Sequence, residues 1–110
     1  MTPSAIRVAH AFLTKQAASL TLGQTVVTRG VNEKMQDDPS FRVFVHNSIR
    51  RHARGDWGEV KGQDKRMNDD ALKTGEDRIL SVYISPDDTK IWIITEWDRS
   101  VTTVLFPDEY

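Results

Sequence analysis

Arg78-Ile-Leu-Ser-Val-Tyr-Ile-Ser85, Lys90-Ile-Trp-Ile-Ile-Thr-Glu96 and Val101-Thr-Thr-Val-Leu-Phe106 are three runs whose reading decides the fold. β-Branched and aromatic residues fill each run. Turn formers separate them, Pro86-Asp87-Asp88 in the first gap and Asp98-Arg99 in the second. The stretch predicts three consecutive antiparallel strands, a meander against which the earlier chain must pack. Leu80, Val82 and Ile84 oppose Ile79, Ser81 and Tyr83 in the first strand. Val104 and Phe106 oppose Val101, Thr103 and Leu105 in the third. The middle run is apolar on both faces, as a covered central strand is. Ser81, Thr95, Thr102 and Thr103 stand out as polar positions that packing alone does not explain, although cross-strand threonine pairs are ordinary sheet stabilisers. Pro107 closes the last strand.

Working outward, helix signals precede the meander. Asp38-Pro39 is an N-cap followed by proline at the first helical position, and it predicts a helix to about Arg54, stopped by Gly55. Phe41, Phe44, Val45 and Ile49 mark its apolar face. Arg42, His46, Arg50 and Arg54 recur every four residues as a cationic stripe. Cations in the last turn also suit the helix dipole, so part of this charge needs no ligand. Gln63–Thr74 reads as another helix, with Met67, Ala71 and Leu72 inward and Gly75 as its cap. Its Asn68-Asp69-Asp70 triplet suits hydrogen bonding to the Gly55–Gly58 turn, where Trp57 folds back as a plug or faces outward as a binding anchor. A first helix is predicted from Ser4, with Ile6, Ala9, His10, Leu13, Ala17 and Leu20 at helical spacing and Gly23 as its stop. Thr25–Thr28 reads as a short edge strand, and Val31–Met35 as a helical turn.

The sum is one α+β domain over residues 1–110: about three helices on a three- or four-stranded antiparallel sheet formed mainly by the meander. There are 0 cysteines, which excludes disulfides, thiolate metal sites and cysteine nucleophiles and favours a cytoplasmic location. No signal peptide and no membrane-length apolar run is visible. The net charge of −1 hides an asymmetry. Residues 39–66 hold 7 basic and 3 acidic groups (+4), and residues 67–110 hold 4 basic and 10 acidic (−6). The two blocks either present opposite potentials or neutralise one another.

Common catalytic signatures are absent. There is no Gly-x-Ser-x-Gly elbow, no phosphate loop and no His-Glu-x-x-His, and His46 and His52 do not share a helix face. No metal and no cofactor is expected. Metal-free RNA cleavage needs only a base, an acid and cations around the phosphate. Helices followed by an antiparallel meander are similar to the barnase/RelE-like nuclease and toxin architecture. On that analogy His52, Glu96, Arg99 and Thr102 are the candidate catalytic residues, with a turn-flanking ion pair as the plainer role for Glu96 and Arg99.

His52-Ala-Arg-Gly-Asp-Trp-Gly-Glu59, Asn68-Asp-Asp-Ala-Leu72, the first meander strand and the stretch from Lys90 to Pro107 resemble a group of small plasmid-related proteins carried on bacterial plasmids, integrative elements and phages. The resemblance covers about residues 50–110. It implies a mobile-element accessory protein and brings no catalytic residue. The expected function is therefore binding of a host protein or nucleic-acid complex, for example as a counter-defence inhibitor. A small endoribonuclease or toxin is the alternative. Arg42, His46, Arg50, Arg51, Arg54 and Trp57 are the candidate contact residues for a partner or nucleic acid.

Overall fold

The meander forms where its sequence places it. In the computed structural model, which describes residues 6–7 and 20–110, strands β3 (Ile79–Ile84), β4 (Lys90–Thr95) and β5 (Val101–Leu105) pair antiparallel in chain order. Register sets Ser81 opposite Ile93 and Tyr83 opposite Ile91. It likewise sets Ile93 opposite Val104 and Thr95 opposite Thr102. Period-two alternation then puts Ile79, Ser81, Tyr83, Ile91, Ile93, Thr95, Thr102 and Val104 on one face, and all eight are buried. Each large apolar member contributes roughly 1.5–3 kcal/mol by leaving water.

Two shorter strands extend the sheet beyond β5. β2 (Gln24–Val27) runs parallel to β5, and β1 (Ile6–Arg7) runs antiparallel to β2, giving the order β1-β2-β5-β4-β3. The sheet is thus mixed rather than wholly antiparallel, and β2 is flanked on both sides instead of forming an edge. The cause lies at the other end. The outer edge of β3 is occupied: Asn68 Nδ2 donates to the Leu80 carbonyl at 2.8 Å, Glu59 N–H to the Val82 carbonyl at 2.7 Å, and Val82 N–H to the Trp57 carbonyl at 3.2 Å. Only β5 offers a free ladder, and three helices between β2 and β3 leave β2 free to approach it in either direction. Ile6 and Arg7 lie in a strand, not in the helix predicted from Ser4. Leu20, counted into the same helix, is a buried bend residue instead, and residues 4–5 and 8–19 lie outside the described residues.

Among the described residues three helices cover the buried face: α1 (Arg29–Asp37), α2 (Pro39–Ala53) and α3 (Gly62–Thr74). α1 is a full helix where a single turn was predicted. The Thr28 hydroxyl caps it by accepting from Val31 N–H, and Val31 and Met35, one turn apart, are its buried pair. The Asp38 carboxylate caps α2 by accepting from Phe41 N–H at 3.2 Å, with proline in the first turn as predicted. Phe41, Val45 and Ile49 of α2 are buried in the core with Val31, Ile91, Ile93 and Val104. Gly75 ends α3 at φ 75°, a left-handed cap. Among the described residues no helix is long and apolar enough to cross a membrane.

Candidate functional site

A chain of polar side chains crosses this otherwise apolar interface, and His52 is its centre. The last turn of α2 lowers the imidazole onto the sheet, where Nδ1 lies 2.6 Å from Ser81 Oγ and Nε2 lies 2.8 Å from Thr95 Oγ1. Thr95 Oγ1 is 2.7 Å from Thr102 Oγ1, which donates to the Leu22 carbonyl at 2.7 Å. The direction of every bond follows from that terminus, because a carbonyl can only accept. Thr102 spends its one proton on Leu22, so Thr95 donates to Thr102 and accepts from His52. His52 therefore carries its proton on Nε2, and Nδ1 accepts from Ser81. All four side chains are at most 1% exposed. Burial alone drives the His52 pKa down to about 3, so the ring is neutral across the physiological range.

This geometry bears directly on the nuclease candidates. His52 and Thr102 do belong to one connected network, but both are sealed and both ring nitrogens are committed. No lone pair faces a space where a 2′-hydroxyl can sit. Glu96 and Arg99 lie at the β4–β5 turn and form no ion pair with each other within 4.0 Å. Arg99 instead donates to backbone carbonyls: Nη2 to Ala71 at 2.8 Å, and Nη1 to Asp77 at 2.6 Å and Trp97 at 3.1 Å. It ties the C-terminal turn of α3 to the meander, a structural role in place of the expected ion pair.

Trp57 is 2% exposed, and its ring stands edge-on to His52 at 5.7 Å between centroids. Its indole N–H donates to Asp69 Oδ1 at 2.8 Å. It is a plug bound to the acidic triplet, with no ring surface offered to a partner. Gly58 lets the plug approach: at φ 69° its backbone bridges to Val82, and a Cβ there would collide with the Val82 carbonyl and the Tyr83 ring.

The cationic contact candidates are largely occupied. Arg51 makes a two-pronged ion pair with Asp56 and lies over the Tyr83 ring at 4.8 Å, which holds the Asp56 carboxyl below its usual range. Arg42 Nε donates to the Met35 carbonyl at 3.1 Å. His46 is half-buried, and burial together with Arg42 and Arg50 lowers its pKa. Arg50 and Arg54 have interaction partners too. Tyr83 is buried, Trp92 rests against Tyr110, and Trp97 is 67% exposed.

One open surface remains prominent, and its residues carry no sequence motif. A groove of about 820 Å³ runs along the outer side of β3, walled by α3. Its apolar lining includes Val60, Met67, Leu80 and Val82. Met67, predicted to point inward, is 60% exposed there; Asn68 takes the buried position beside it and bonds the β3 backbone. Among the described residues no cluster of three or more His, Asp or Glu side chains is placed to hold a metal ion. No family model, no curated protein and no solved structure matches the chain.

Proposed function

We propose that this chain is a mobile-element accessory protein that works by binding a host protein or nucleic-acid complex, with counter-defence as the purpose such binding serves. The observation that supports a non-catalytic reading is the state of His52: neutral, fully buried and hydrogen-bonded at both nitrogens. A general base has to reach its proton, and this one faces only Ser81 and Thr95. Arg99, from the remaining half of the nuclease set, ties the β4–β5 turn to the end of α3. The mobile-element origin leans on the resemblance of residues 50–110.

The test is incubation of the purified protein with structured RNA in chelator. The RNA is expected to stay full length. Cleavage that disappears in Glu96→Ala or Arg99→Ala would overturn the reading and restore the ribonuclease alternative. Stoichiometric recovery of a host nuclease or surveillance complex would support it.

A further inference from the structure

The groove beside β3 combines an apolar floor with a one-signed rim. Glu59, Asp64, Asp70, Glu76 and Asp77 line it, against Lys61 and Arg78 as the only cations, a net of −3. None of those five carboxylates has a cation within ion-pair distance among the described residues; the ion pairs that form use Asp38, Asp56, Asp69 and Asp87. Arg78 is turned onto the C-terminal residue, donating to Tyr110 Oη at 2.6 Å. Unpaired negative charge around an apolar strip repels phosphate backbones and attracts cations.

The backbone narrows the occupant further. A sheet edge usually invites an added strand, but Leu80 and Val82 already have their outward N–H and C=O groups bonded to Asn68 and to Trp57–Glu59. Side chains are what the groove has left to offer. Met67, flexible and polarisable, projects from α3 above Leu80 and Val82, which suits an aliphatic side chain of variable shape. We propose that this groove docks a cationic amphipathic helix of a partner protein, its apolar stripe on Met67, Leu80 and Val82 and its lysines or arginines facing the carboxylate rim. The proposal rests on the binding reading above and chooses protein over nucleic acid as the direct partner.

The experiment uses the full chain and a fluorescein-labelled helical peptide of about 18 residues, ~27 Å long, with leucines along one face and lysines elsewhere. Its counterpart carries glutamate for every lysine. Anisotropy should report binding of the lysine peptide only, weakening as salt rises. Asp64→Asn and Asp70→Asn should each weaken it about two- to fivefold, the range of rim charge pairs, and Met67→Gln by a similar factor. The same charge change at Asp88 and Asp108, outside the groove, should leave affinity within about twofold. Equal binding of the glutamate peptide, indifference to the groove variants, equal loss in the control variants, or displacement of the lysine peptide by a DNA or RNA oligonucleotide that itself binds the chain would each overturn the proposal. If the lysine peptide fails to bind while RNA stays intact, the groove assignment falls and the non-catalytic reading stands. RNA cleavage would remove that reading independently.

Discussion

Acidification should destabilise this fold well above the range in which carboxylates titrate, and His52 is the reason. An unfolded chain exposes the imidazole at its ordinary pKa of 6.5, whereas burial holds it at about 3 in the folded protein. Between these values the unfolded state binds a proton that the native state refuses. Stability is therefore complete above pH 6.5 and is lost as pH falls towards about 3. Each unit below 6.5 costs about 1.4 kcal/mol, so moving from pH 8 to pH 5 removes about 2 kcal/mol. Asp56, Asp69, Asp87 and Asp98 have pKa values lowered from 3.8 and add little until the pH is more acid still. His46, lowered by burial and two arginines, acts in the same direction, so the measurement belongs in a His46→Gln background. The assay is urea unfolding followed by tryptophan fluorescence, with buried Trp57 as the reporter. With a urea slope of about 1–3 kcal/mol per molar, the midpoint should fall by about 0.7–2 M. His52→Gln, whose amide can accept from Ser81 and donate to Thr95, should flatten the dependence over the same range. A midpoint constant from pH 8 to 5, or a fall of equal size in His52→Gln, would refute the buried neutral imidazole.

Two further substitutions probe the same frame. Thr102→Val keeps the shape but leaves the Leu22 carbonyl without its donor and the Thr95 hydroxyl without its acceptor, so it should cost ~1–3 kcal/mol in urea unfolding; no loss would mean the network carries no energy. Gly58→Ala should cost at least ~1–3 kcal/mol from the positive φ alone, and more from collision with Val82 and Tyr83, while Gly75→Ala meets no neighbouring atom and should cost less; the reverse order would contradict the placement of the Trp57 plug.

The meander, α2 and α3 were legible because local signals agree there: alternation in the strands, Asp38-Pro39 at one helix start and Gly75 at another stop. β2 was legible as a strand but not in its place, since a four-residue run carries no record of which neighbour it joins or in which direction. α1 reads from the sequence as a single turn because only Val31 and Met35 mark its buried side, amid polar residues. The polar chain left a trace as threonines and a serine out of keeping with apolar strands. What the sequence could not show is that His52, 29 residues before Ser81 and 43 before Thr95, would bridge them. The inward assignment of Met67 failed for a physical reason. The neighbouring Asn68 can satisfy both groups of a strand edge, and that pairing, rather than hydropathy, sets the rotation of α3.

Long-range ¹H–¹⁵N correlation NMR of the histidine side chains observes the state of the His52 ring directly. His52 should show a single neutral species protonated at Nε2, with nitrogen shifts unmoved from pH 8 to pH 5. A His52 signal that titrates near 6.5 would place the imidazole within reach of solvent and contradict the sealed network on which the non-catalytic reading stands, and one protonated at Nδ1 would reverse the hydrogen-bond directions that follow from the Leu22 carbonyl.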